Sequence, residues 1–257
     1  MKLIDILREI KNEGATVDNG ELKINVIKST DKPDDPFLIN RSMDTFKKSG
    51  VPVYYGLRPN PNNKMSDSQI TATYDSVKKQ KIDQNELMKL VIMTSPSGAD
   101  VKYIVALPSS SGLNKRISEV LKQKYRMSDD RVLDKISKIE YKIDDMVNRE
   151  RYDKADPTTR KIMDTWIRGL KKKYGEDAVL TIKKSADPST GHPGLQSGAR
   201  RLLNPTYNVG EDLPKNGKIL IVDDFMIGGS SVAEIADSLV SAGIPKQNLM
   251  VYCLGIK

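Results

Sequence analysis

Cysteine and histidine are nearly absent: Cys253 and His192 are the only representatives in 257 residues. One of each excludes an intramolecular disulfide and every metal site built on two or more Cys or His ligands. Long apolar runs are missing too. No stretch approaches the roughly 18 apolar residues that cross a bilayer. The opening MKLIDILREIKNEG puts charge into every turn and lacks the apolar core and small-residue cleavage site of a secretory signal. These absences predict a cytoplasmic protein with no membrane association.

What remains is the composition of a globular chain, 38% hydrophobic and 30% charged, long enough for one large domain or two small ones. Forty-two Lys and Arg stand against 34 Asp and Glu, a formal charge of +8. Such an excess favours anionic partners, either nucleic acid or phosphorylated metabolites, and charge alone does not choose between them.

Along the first hundred residues, Leu3 to Ile10 has helical apolar spacing and Asn19-Gly20 marks a turn. ELKINVI after that turn alternates as a half-buried strand does. VPVYYGL (51–57) is a second strand candidate, RPNPNNKMSDS an exposed loop, and ELMKLVIMT (86–94) a helix closed by SPSG. This part reads as an appended α+β accessory region. From Val101 the texture changes to apolar strands, each followed by a polar loop and a helix, the rhythm of a parallel α/β sheet flanked by helices. YIVAL (103–107), AVLTI (178–182), KILIV (218–222) and LMVYCLGI (249–256) are its strands. The polar stretch 114–175 is too long for a connection and predicts a helical insertion. Within it IMDTWIRGLKKKYG is an amphipathic helix preceded by Asp156-Pro157 and stopped at Gly175. Lys171, Lys172 and Lys173 read as its solvated last turn, where cations suit the dipole.

The segment that carries chemistry is GKILIVDDFMIGGSSVAEIADSLVSAG, residues 217–243. A strand delivers Asp223 and Asp224 to the edge where open α/β sheets bind ligands. Gly228 and Gly229 then let the backbone approach an anion, and Ser230, Ser231 and the first helical amides supply donors at the positive end of the dipole. Carboxylates repel phosphate, so the acids suit hydroxyls or a hydrated metal beside it, as in a sugar phosphate. At 103–121, YIVALPSSSGLNKRISEVL repeats the layout: Ser109, Ser110, Ser111 and Gly112 precede a helix that opens with Asn114, Lys115 and Arg116. Residues 183–209 are basic, Gly- and Pro-punctuated and without apolar period, as a mobile lid would be.

ILIVDDFMIGGSS resembles the signature of the type I phosphoribosyltransferases: four apolar residues, two acids, two apolar residues and a small-residue loop. Ile227 and Gly228 depart from it, standing where the family usually has Thr or Ser. The order of basic residues, GLQSGARRLLN and a Tyr-containing segment before the strand resembles the ComF-like branch. The resemblance covers residues 101–257 and leaves 1–100 as a hood or accessory region. It implies that Asp223 and Asp224 hold the ribose hydroxyls of phosphoribosyl pyrophosphate (PRPP) and, indirectly, Mg²⁺. It implies further that Ile227, Gly228, Gly229, Ser230 and Ser231 wrap the 5-phosphate, and that Ser109, Ser110, Ser111 and Gly112 bind pyrophosphate. Lys183 and Lys184, with Arg200 and Arg201 as second choice, are expected to contact pyrophosphate during transfer to a nucleobase or related amine. The acceptor hood is expected from 1–100, from 114–175 or from a second subunit of a homodimer. A PRPP- or nucleotide-sensing protein without turnover and a nucleic-acid-associated member remain alternatives. His192 in GHPG reads as a loop residue rather than a general acid, Cys253 as a core thiol, and Tyr54, Tyr55 and Trp166 as core aromatics rather than stacking platforms.

Overall fold

The computed structural model describes residues 13–18, 21–26, 37–39, 43–46, 49–61, 65–79, 82–97, 101–109, 111–133, 135–182, 195, 197–210, 212–227 and 229–257. The helix expected over residues 3–10, the Asn19-Gly20 turn and His192 lie outside them. Two compact units emerge, one from 1–136 with 209–257 and one from 137–208. No helix among the described residues is long and apolar enough to cross a membrane.

The first unit opens with β1 (Glu13–Asp18) and β2 (Glu21–Val26), antiparallel with Val17 opposite Leu22. β3 (Phe37–Ile39) and β4 (Met43–Phe46) both lie antiparallel to β5 (Val51–Pro59). Two helices follow, α1 (Asp67–Lys79) and α2 (Gln84–Thr94). Asp83 caps α2, its carboxylate accepting from the Asn85 and Glu86 amides at 2.8 and 3.2 Å. β6 (Val101–Ala106), α3 (Leu113–Tyr125) and β7 (Val132–Leu133) form a strand–helix–strand crossover between parallel neighbours.

In the second unit β8 (Ile136–Lys138) and β11 (Tyr207–Val209) pair where the chain enters and leaves, and β9 (Glu140–Lys142) pairs antiparallel with β10 (Val179–Thr181). Helices α4 (Arg149–Asp153), α5 (Pro157–Tyr174) and α6 (Ser197–Arg200) complete it. α5 starts and stops as its sequence predicts: the Thr159 amide donates to Asp156 at 2.9 Å, Pro157 sits in the first turn, and Gly175 ends it at φ +92. Its apolar face, Met163, Trp166 and Leu170, packs with Ile143, Met146, Leu180 and Leu202.

AVLTI is therefore not a strand of the main sheet. Its core part is β10, and Val179 is 52% exposed, so the segment is covered on one face only. A parallel strand buried on both faces has no such solvent-facing position. The insertion likewise spans 137–208 rather than 114–175, because α3 packs on β6 and α2 in the first unit's core. Residues before 100 form no separate unit either.

The chain returns to the first unit as β12 (Lys218–Met226), α7 (Ser230–Ser241) and β13 (Leu249–Ile256). The sheet order is β2-β1-β3-β5-β13-β12-β6-β7, and the five strands from β5 to β7 run parallel. VPVYYGL is thus a central parallel strand, its Val53, Tyr54 and Tyr55 in register with Val251, Tyr252 and Cys253. Leu57, Ile104, Leu220, Val222, Tyr252 and Leu254 pack beneath Tyr74 and Val77 of α1, Leu87 and Leu90 of α2, and Ile117 and Leu121 of α3. The intervening residues Ile219, Ile221, Val251 and Cys253 are equally buried and turn to the opposite face, where α7 packs on β12 and buries Val232, Ile235 and Leu239. Each such aliphatic side chain contributes about 1.5–3 kcal/mol on leaving water.

One cation is built into this core. Lys124 Nζ donates to the carbonyls of Ile92 and Ser95, both at 3.0 Å, and to Ser95 Oγ at 2.7 Å, at the C-terminal end of α2. Burial pulls its ammonium down to about 8. The unfolded amine titrates near ~10.4, so between these values the unfolded chain holds a proton that the folded one does not, and stability rises with pH. Urea unfolding from pH 7 to 10 should show the wild type gaining stability over Lys124→Met as pH rises through 8. A constant difference would mean that the three acceptors keep the amine charged.

Candidate functional site at the β6–β12 edge

β6 and β12 run side by side through Ala106 and Val222, and the Leu107 amide extends the ladder by donating to Val222 O at 2.9 Å. There they part. β12 continues along β13 alone, with Phe225 opposite Gly255 and Met226 opposite Ile256. Asp223 and Asp224 occupy the first positions beyond the divergence, where Ser109 and Asn114 from the β6 side reach them.

The two acids have different surroundings. Asp224 is 5% exposed and fully engaged: Lys78 Nζ from α1 lies 2.8 Å from Oδ1, Ser109 Oγ donates to Oδ2 at 3.1 Å, and the Phe225 amide donates to Oδ1 at 2.7 Å. Asp223 is half-buried and accepts from Asn114 Nδ2 at 3.4 Å and from the Asp224 amide at 2.9 Å. Asn114, 2% exposed, also donates to Leu107 O at 2.8 Å, and its own Oδ1 has no partner among the described residues.

The loop after β6 turns through Gly112 at φ +70 into α3. Ser111 Oγ is 2.9 Å from Ser109 Oγ and accepts from the Leu113 amide at 3.3 Å. The loop after β12 turns through Gly229 at φ +63 into α7, whose first turn receives no side-chain cap. Both left-handed glycines put the chain where an L side chain is strained, and both leave helix-start amides at the same edge. Ser230 is exposed and Ser231 half-buried at the start of α7, and Ile227 is exposed beside them.

The strand end also has a packed support. The Tyr74 ring stacks on Phe225 with centroids 4.3 Å apart, and its hydroxyl donates to Ile256 O at 2.8 Å; burial pushes that phenol well above its usual range. Gly255 makes room for the pair, since a Cβ there would stand 3.0 Å from Phe225 Cδ1 and from the Tyr74 ring. Gly255→Ala should lower stability by about 1–3 kcal/mol, as overpacking of a tight core does, which a urea unfolding curve would read. Burial, and then the Asp223 charge, push the Cys253 thiol up, so it is a core thiol and no nucleophile.

Of the residues the sequence singles out, Asp223, Asp224, Ser109, Ser111, Gly112, Asn114, Gly229, Ser230 and Ser231 share this edge. Ser110, Gly228, Lys183 and Lys184 lie outside the described residues. Arg200 and Arg201 belong to the second unit, where Arg200 Nε donates to Leu195 O at 3.1 Å and Arg201 lies 3.7 Å from Asp156. Trp166 and Tyr55 are buried core residues. Lys78 is the addition that sequence reading missed: SVKKQK looks like the solvated last turn of a helix, and only tertiary packing brings Lys78 to Asp224. Among the described residues no cluster of three or more His, Cys, Asp and Glu could hold a metal unaided. No family model matches the chain, and no curated protein does either.

Proposed function

We propose that the chain is a Mg²⁺-dependent phosphoribosyltransferase that takes PRPP at the β6–β12 edge and joins its ribosyl carbon to a nitrogen of a nucleobase or related amine, releasing pyrophosphate. One observation carries the reading: two neighbouring parallel strands each lead through a left-handed glycine into a helix start, with a carboxylate pair between the two loops. Two anion-binding helix starts flanking hydroxyl-binding acids match a ligand with a phosphate at one end, a diphosphate at the other and a diol between them.

In this reading Gly229, Ser230 and Ser231 hold the 5-phosphate, with Ile227 and Gly228 completing the loop, and Asp223 accepts from the ribose hydroxyls. Ser109, Ser111 and Gly112 face the diphosphate. The donor set fits Mg²⁺, which keeps waters and phosphate oxygens and takes only one or two carboxylates. Asp223 is the acid suited to it, because it is half-buried, whereas Asp224 is 5% exposed and held by Lys78. The ion would offset charge on the departing diphosphate. The carbon–nitrogen bond forms as the carbon–oxygen bond to diphosphate breaks, its electron pair leaves with the diphosphate, and the proton of the acceptor nitrogen passes to water. The chain's own contribution is alignment of the ribosyl carbon and donation from loop amides and hydroxyls to the leaving oxygens.

The test is calorimetric titration with PRPP and Mg²⁺ of the wild type and of the double variant Asp223→Asn, Asp224→Asn. Binding by the wild type and its loss in the double variant is the expected result. No binding by the wild type, or equal binding by both, overturns the reading.

A further inference from the structure

A cavity of about 310 Å³ opens beside this edge, lined by Val77, Lys78, Ile82, Ser111, Leu113 and Arg116. Its apolar members are buried parts of the core, and the groups left to meet a ligand among the described residues are one hydroxyl and two cations. No acid lines it. Arg116 donates through Nε and Nη2 to Gln84 Oε1 at 3.2 and 3.0 Å and through Nη2 to Ile82 O at 2.5 Å. All these acceptors are neutral, so the guanidinium is held in place while no acid among the described residues offsets its charge. Lys78 reaches Asp224 from the cavity wall. Ser111 is joined to the same carboxylate through Ser109, by contacts of 2.9 and 3.1 Å.

We propose that this cavity is a binding site for a diphosphate-sized anion, with Lys78 and Arg116 as its cations, and that Lys78 exchanges Asp224 for the anion when it enters. The inference rests on reading the edge as a phosphoribosyl site. A multiply charged anion beside Lys78 and Arg116 competes with the single charge of Asp224, and the low-dielectric wall strengthens whichever pair forms. Once released, Asp224 can accept from a hydroxyl donor. The Lys78–Asp224 ion pair thus couples the two halves of the ligand: anion binding readies the diol site, and a bound diol leaves Lys78 for the anion.

The exchange predicts effects of opposite sign. In calorimetry with inorganic pyrophosphate at fixed ionic strength, Lys78→Met and Arg116→Met should each weaken binding by about tenfold or more, the scale of one charge-assisted hydrogen bond. Asp224→Asn keeps the shape, removes the competitor for Lys78 and should tighten pyrophosphate by about three- to tenfold. Lys78→Arg, which keeps the charge, should retain binding and serves where Lys78→Met unfolds. Unchanged affinity in both Met variants overturns the site, and no tightening in Asp224→Asn overturns the exchange. PRPP separates the two levels. If it binds while the cation variants leave pyrophosphate unaffected, the anion site fails and the phosphoribosyl reading stands. If pyrophosphate behaves as expected and PRPP does not bind, the reverse holds, and if the wild type binds neither ligand both fall.

Discussion

Asp223→Asn should weaken PRPP binding by about a hundredfold, whereas Asp224→Asn should cost less than about tenfold. A charge-assisted hydrogen bond from a ligand hydroxyl contributes about 1.5–3 kcal/mol, and two of them from a diol to one carboxylate reach the ~3 kcal/mol that a hundredfold requires. Asp223 is the half-buried acid, oriented by Asn114 and by the amide of the next residue, and so its carboxylate lies nearer to solvent than that of Asp224. Asp224 begins with its charge matched by Lys78 and both oxygens engaged. Its replacement removes a ligand contact and, at the same time, the partner that detains Lys78, so the two effects partly cancel. Asn is isosteric, and an unchanged urea midpoint in each variant would show that the fold is intact. Equal losses at the two positions would remove the distinction between them.

The local parts of this site were legible in the sequence, and the assembled parts were not. KILIVDDFMIGGSS declares its strand, glycine turn and helix start because each rests on neighbouring residues, and the structure places them as β12, Gly229 and α7. PSSSG before α3 follows the same logic. VPVYYGL was readable as a strand, but its place at the centre of the parallel sheet depends on pairing with β13 some two hundred residues later. AVLTI has the composition of a core strand and pairs instead with β9. A short apolar run does not encode which partner covers its second face. The same holds for the insertion, whose start at 137 rather than 114 is decided by α3 packing on β6 and β12. Lys78 is the functional counterpart: a lysine near a helix C-terminus satisfies every local rule for solvent exposure, and its 2.8 Å contact with Asp224 is wholly a product of tertiary packing.

Ser230→Glu should separate a phosphate cradle from an ordinary helix start by moving stability and binding in opposite directions. Ser230 is the first residue of α7, it is exposed, and the preceding Gly229 has no side chain with which to cap the helix. A carboxylate there meets uncapped first-turn amides and the positive end of the dipole, which stabilises a helix by about 0.3–1 kcal/mol. The melting temperature should therefore rise or hold. If those amides hold the 5-phosphate, the same carboxylate occupies its place and repels it, and PRPP affinity should fall by about a hundredfold or more, the cost of placing a like charge where donors stood. Ser230→Ala removes one hydroxyl and adds no charge, so its loss should stay near tenfold. Retained PRPP affinity in Ser230→Glu would show that α7 begins beside the ligand without touching its phosphate, and would leave the β6–Gly112–α3 loop as the phosphate-binding helix start among the described residues of this edge.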